Sequence, residues 1–204
     1  MDKNVDSIIP ETPGTRNDHK NDAKKSGFME FARFISTVVV IVVVVRVFIA
    51  QPFIVSGASM VPTFHDSDYL IVDQLSYRFI EPARGDVLIS KPPQNKSVYF
   101  IKRIIGIPGD TININNGVVT LSNKEHPEGV VLNEPYISKD TTSGHYNISV
   151  TEGNYFVMGD NRPASYDSRG WGLLPKKNIT GRAFLRLFPV TKMSVFPGEF
   201  SNDL

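Results

Sequence analysis

Ser59 stands in the stretch VSGASMVPTF, Val55 to Phe64, between small residues and Met-x-Pro. A serine hydroxyl is a weak nucleophile until a neighbouring base takes its proton. Two residue types in this chain can serve. A histidine would give a Ser-His-Asp arrangement, and His65 is six residues downstream. The stretch lacks the G-x-S-x-G turn that presents a serine in one such class. The other candidate is Lys102, in SVYFIKRIIGIPGD, Ser97 to Asp110.

That second stretch reads as a strand, because β-branched and aromatic residues run up to Pro108-Gly109. A period of two puts Phe100, Lys102 and Ile104 on one face, and Ile101, Arg103 and Ile105 on the other. Both faces are apolar, so each cation sits among hydrophobes. Arginine cannot shed its proton and must find a carboxylate. Lysine can answer burial with a lower pKa. A free lysine titrates near ~10.4, so at pH 7 about one in 2,500 is neutral. A drop of roughly 3 units would make a working base. The same context also suits a lysine that snorkels from a strand end or pairs with an acid.

The third stretch is GDNRPASYDSRGWG, Gly159 to Gly172, dense in turn formers and charges. It lies between the strand-like NYFVM and ITGRAFLRLF. A polar loop between apolar strands is a functional candidate, and a plain surface turn is the alternative. Asp160, Asp167 and Arg169 can equally form a structural ion-pair cluster beside Arg103. Arg84-Gly85-Asp86 matches an adhesion tripeptide, a weak signal at three residues; Gly85 reads as a turn and Asp86 as the start of a strand.

These side chains need a frame. Residues 1–27 are polar and aperiodic and read as a disordered tail. Phe31 to Ala50 is 20 residues, roughly 30 Å as a helix, enough to cross a bilayer. Valine favours strands in water, but a single span in lipid must satisfy its own backbone, which a helix does. Residues 28–50 are therefore expected to be a transmembrane anchor. A cleaved signal peptide and a buried core helix are the competing readings, since the uncharged core Phe34–Val45 is 12 residues. Lys20, Lys24, Lys25 and Arg33 precede the uncharged core of the span, which puts the N-terminus in the cytoplasm and the rest outside.

Basic and acidic residues nearly cancel, 22 against 21, so no nucleic-acid partner is expected. There is no cysteine, and the four histidines are scattered without metal-ligand spacing. The 14 prolines and 15 glycines between short valine- and isoleucine-rich runs predict a mainly β domain. Strands are expected at 52–56, 69–74, 86–90, 98–106, 111–115, 117–122, 129–133, 145–150, 154–158 and 180–188. The stretches with chemistry fall in 51–110 and 158–197, the expected catalytic core. Residues 111–157 read as an inserted small β cap, and 198–204 as a C-terminal tail.

Four stretches taken together resemble the bacterial type I signal peptidases, membrane-anchored Ser/Lys endopeptidases that remove signal peptides from exported preproteins. They are RVFIAQPFIVSGASMVPT (46–63), RGDVLI (84–89), YFIKRIIGIPGD (99–110) and GDNRPASYDSRGWG (159–172). The resemblance covers about residues 30–190 and is to the short, Gram-positive-like form. It implies an antiparallel β catalytic domain behind one transmembrane helix, with Ser59 as nucleophile and Lys102 as general base. It places Ser165 where the family has a hydroxyl that hydrogen-bonds the lysine, and the Ser59 N–H as a backbone oxyanion donor. Val55, Ser56, Gly57, Met60 and Phe100 would line a substrate groove with small pockets for Ala one and three residues before the cut. No cofactor and no metal are implied. The implied partners are secreted preproteins, membrane lipid and, as a candidate, the export translocon. The implied location is the cell membrane, with the catalytic domain extracellular. At Gly57 the chain departs from members that carry a serine two residues before the nucleophile, so a side-chain oxyanion donor is not implied. A self-cleaving repressor protease would need a DNA-binding module, which the N-terminus does not resemble. A non-catalytic anchored scaffold would have no use for both Ser59 and Lys102.

Overall fold

The structure is a computed structural model that describes residues 19–44, 46, 50–137 and 144–200. The expected tail up to residue 18, the end of the expected anchor (45 and 47–49), part of the cap (138–143) and residues 201–204 lie outside the described residues.

Two units form, Met1–Val44 and Val45–Leu204. The first carries helix α1, His19–Val44. It starts within the segment expected to be irregular. Residues 19–26 contain no proline or glycine, and extending a formed helix costs little once the first turn exists. From Phe28 to Val44 its side chains are exposed, including the whole run Val38–Val44. Thr37 donates its hydroxyl to the Arg33 carbonyl one turn back, at 2.9 Å, which keeps that polar group satisfied within the helix. Among the described residues no helix is long and apolar enough to cross a membrane.

The second unit is mainly antiparallel β. Its strands are β1 (Ala50–Ile54), β2 (Tyr69–Asp73), β3 (Val87–Ser90), β4 (Phe100–Gly106), β5 (Thr111–Asn115), β6 (Val118–Ser122), β7 (Val130–Val131), β8 (His145–Ser149), β9 (Asn154–Met158), β10 (Leu174–Pro175), β11 (Ile179–Phe188) and β12 (Ser194–Val195). A one-turn helix, α2 (Ser168–Trp171), falls between β9 and β10. The main sheet runs β1-β2-β11-β3-β4-β9-β10, with β12 paired to β11. The second sheet runs β7-β6-β5-β8. Asn116 and Gly117, both at positive φ, make the β5–β6 hairpin that Asn-Gly predicts.

Three corrections follow. β9 pairs with β4, so the small sheet ends at Ser149 and the segment 154–157 belongs to the core. β1 ends at Ile54, not at Ser56, because Gly57 takes φ +92°, which turns the chain. The expected tail does not start at 198. The Gly198 carbonyl accepts from Arg103, and the Phe200 ring packs on Tyr136 with centroids 5.5 Å apart. This seat explains Gly85. A Cβ there would lie 1.8 Å from the Phe200 carbonyl oxygen. Asp86 is buried and accepts from Tyr77, the Ala83 N–H and Arg182, so the tripeptide is a structural turn.

β4 is the strand that carries Lys102 and Arg103. Every residue from Ile101 to Gly106 is buried. Ile101 joins a core with Val55, Met60, Phe64 and Leu70, while Ile104 joins another with Leu88, Tyr155 and Trp171. Ile105 joins the core that ties the small sheet to the main one, through Ile112, Leu121 and Phe156. A strand packed on both sides in this way has no room for a hydrated cation.

Candidate active site

The turn that carries Ser59 follows β1 directly. The Gly57 N–H donates to Asp66 Oδ1 at 2.9 Å, and this bond holds the Asp66 carboxyl below its usual range. Met60 and Phe64 are sunk into the core at 1% and 0% exposure, which fixes the turn from below. Met60 is thus a core plug, not a groove residue as expected. A turn this tight points the residue after Ser59 inward.

From β4, Lys102 reaches the same point. Its Nζ is 2.9 Å from Ser59 Oγ and 2.9 Å from the Ile101 carbonyl, and it lies over the Phe100 ring at 5.1 Å. The residue is 2% exposed. Burial lowers its pKa to about 8, against the opposing pull of Asp167 and Asp160 and with help from Arg169. His65 makes no bond to Ser59; its Nδ1 is buried and unpartnered.

The polar loop supplies the support. Arg103, next to Lys102, is fully buried and bound by Asp160 through two N–H groups, at 2.8 and 2.6 Å. It also donates to the Gly85 carbonyl at 2.9 Å and stacks on Tyr136 at 3.9 Å. Thr63, four residues after Ser59, donates its hydroxyl to Asp160. Asp167 caps α2 and binds Arg169 and the Gly159 N–H, at 2.8 and 3.0 Å. The expected ion-pair cluster is therefore two separate pairs, Arg103–Asp160 and Arg169–Asp167. A third buried pair, Arg162–Glu134, joins the loop to the segment after β7, and no sequence pattern marks it.

Ser165 arrives beside the pair, but the expected hydrogen bond to Lys102 is not made. Its Oγ is buried without a partner, and Lys102 is satisfied instead by the Ile101 carbonyl. Gly159 explains how the loop comes so close. A Cβ there would lie 2.3 Å from the Ser59 carbonyl oxygen and 2.4 Å from Ser165 Oγ.

A cavity of about 110 Å³ opens at Ser59 and Lys102. Val55, Ser56 and Phe100 line it as expected, and so do Phe53, Leu70, Ile89 and Tyr99. Gly57 is exposed and does not line it. The Ser59 N–H has no hydrogen-bond partner among the described residues. A serine hydroxyl on a buried lysine of lowered pKa, beside a free backbone N–H and an apolar cavity, can perform acyl transfer.

Those features define a β-rich serine hydrolase whose base candidate is a lysine. Residues 28–188 match the model of the family described as signal peptidase, peptidase S26. The chain is similar to a signal peptidase I of Leptolyngbya laminosa, 36% identical over 95% of this chain and 96% of the relative. It is 32% identical to a probable signal peptidase I-2 of Synechocystis, over 98% of this chain and 89% of the relative. A Bacillus licheniformis signal peptidase I is 34% identical over 86% of this chain and 97% of the relative. A solved signal peptidase I from Enterococcus faecalis V583 is 30% identical, with TM-score 0.43, over 50% of this chain and 97% of that one. The chain belongs to the signal peptidase, peptidase S26 family, and it is a serine endopeptidase of the bacterial type I signal peptidase kind.

Proposed function

We propose that this protein is a membrane-anchored endopeptidase that removes signal peptides from secreted preproteins after small residues, with Ser59 as nucleophile and Lys102 as general base. The carrying observation is the buried lysine nitrogen 2.9 Å from the serine oxygen. With a pKa of about 8, roughly a tenth of Lys102 is neutral at pH 7, against about one in 2,500 for a free lysine. Neutral Nζ takes the Oγ proton as Oγ attacks the scissile carbonyl carbon. The resulting ammonium then protonates the departing amine as the C–N bond breaks. Water, deprotonated by the same nitrogen, hydrolyses the acyl-serine. The Ser59 N–H is the backbone donor for the oxyanion of both tetrahedral intermediates.

A substrate groove is supported by the cavity of about 110 Å³ beside Ser59, lined mostly by apolar residues and by Ser56, Ser59 and Lys102; the preference for alanine is what the family resemblance implies. An extended peptide also has edges to pair with. β1 pairs on one side only, and β4 meets β9 only from Arg103 onward, leaving the start of the strand open beside the cavity. Anchoring by residues 28–50, with the N-terminus cytoplasmic, is supported by the exposed valine-rich run of α1 and by the basic residues that precede it. Lipid and the export translocon are the partners this placement would bring.

The test is cleavage of a preprotein by the full chain in detergent, wild type beside Ser59→Ala. The wild type should release a fragment cut after a small residue, and the variant none. A wild type that cuts elsewhere, or an active variant, would remove the proposal. Protease added outside intact spheroplasts should degrade the β domain. A protected domain would invert the topology.

A further inference from the structure

Ser59 sits between two peptide groups, and one residue of the polar loop holds both. The Asn161 N–H donates to the Ser59 carbonyl at 3.0 Å, and Asn161 Nδ2 donates to the Ala58 carbonyl at 3.0 Å. A trans peptide is planar, with its C=O and the following N–H pointing in opposite directions. Fixing the Ala58 carbonyl therefore fixes the direction of the Ser59 N–H. Fixing the Ser59 carbonyl sets the plane on the other side of the same Cα. Between two pinned planes the Ser59 backbone angles are set, and with them the position of Cβ relative to the N–H, while the contact with Lys102 Nζ holds Oγ.

We propose that Asn161 is the positioning residue of the oxyanion donor, holding the unpartnered Ser59 N–H in the direction that meets the developing oxyanion. This inference rests on the reading of Ser59 as nucleophile. Preorganised direction is what makes such a donor effective, because no reorganisation is then needed during the reaction. Gly159 permits the approach, since any side chain there would strike the Ser59 carbonyl. A second hold exists: the Val61 N–H also donates to the Ala58 carbonyl, at 3.2 Å. Loss of Asn161 should therefore loosen the donor without abolishing it.

The experiment uses the full chain in detergent micelles, as wild type, Asn161→Ala, Asn161→Asp and Ser59→Ala. Peptide cleavage gives kcat and KM. Two ligands separate the states: a peptide aldehyde, whose serine adduct carries an oxyanion-like oxygen, and a reduced-amide peptide without the scissile carbonyl. Asn161→Ala should lower kcat about 10–10²-fold, with KM within about threefold. Aldehyde affinity should fall by the same factor, and reduced-amide affinity should not change. Asn161→Asp keeps the shape, loses the donor, and should show the same split if the alanine variant does not fold. A kcat within about threefold of wild type would overturn the assignment, as would equal weakening of both ligands. So would a lowered kcat with unchanged aldehyde affinity, or the unfolding of both variants. An active Ser59→Ala would fail the serine reading itself, a result distinct from any of these.

Discussion

Lys102 and Arg103 are neighbours on one strand, both cations, both buried, at 2% and 0% exposure. Their surroundings differ. Arg103 is gripped by a carboxylate, two backbone carbonyls and an aromatic ring. Lys102 has one hydroxyl and one carbonyl, and its nearest carboxylates are committed to Arg103 and Arg169. Burial with a dedicated counter-ion makes a fixed structural charge. Burial without one makes a group that gives up its proton. On the proposed function, two adjacent positions thus divide the work, one holding the loop to the strand and the other serving as the base.

The largest effect should come from the lysine side. Ser59→Ala and Lys102→Met should each lower kcat by about 10⁴-fold or more with the fold intact. Lys102→Arg should do the same, because a guanidinium keeps its proton. An active Lys102→Arg variant would break the comparison, since the two positions would then be alike. Next comes the arginine side. Asp160→Ala leaves Arg103 buried and uncompensated, which should cost about 3–5 kcal/mol in denaturant unfolding. A loss below about 1 kcal/mol would show that the carbonyls suffice.

Smaller, and opposite in sign, is the stability of Lys102→Met. A depressed pKa means that the unfolded chain binds the lysine proton more tightly than the folded one. The native protein therefore bears a penalty below pH 8 that fades as pH rises through about 8 toward the free-lysine value. The variant should be more stable than wild type by about 1–3 kcal/mol at pH 7 and by little near pH 10.5. Equal stability at both pH values would mean no penalty exists. Smallest is the approach to the nucleophile. Gly57 has open space for a Cβ but φ +92°, so Gly57→Ser should cost about 1 kcal/mol by thermal melting. Ser56, exposed, should tolerate alanine with kcat within about tenfold.

Much of this was legible in the sequence. The β-branched run around Lys102 announced a buried strand, and ten strands were expected close to where they lie. The fully buried Arg103 followed from the same alternation, together with its need for a carboxylate. What could not be read depends on contacts distant along the chain. Met60 is a groove residue by the family resemblance; only the turn at Gly57 and the core beneath show that it points inward. Asn161, Gly159 and the Arg162–Glu134 pair act across such long separations, and no local periodicity marks them. Phe200 followed the last expected strand and read as tail, yet its seat on Gly85 is the reason for that glycine. The short strands β10 and β12, two residues each, carry too few side chains to show a period.

The proposed mechanism depends on burial lowering the Lys102 pKa enough for its neutral form to act as the base. The most direct test is to titrate Lys102 in the full chain in micelles, with ¹³C at the lysine ε carbon and its signal assigned by its loss in Lys102→Arg. The midpoint should fall at about 8, matched by the acid limb of kcat/KM. A midpoint near the free-lysine value of about 10.4 would contradict it.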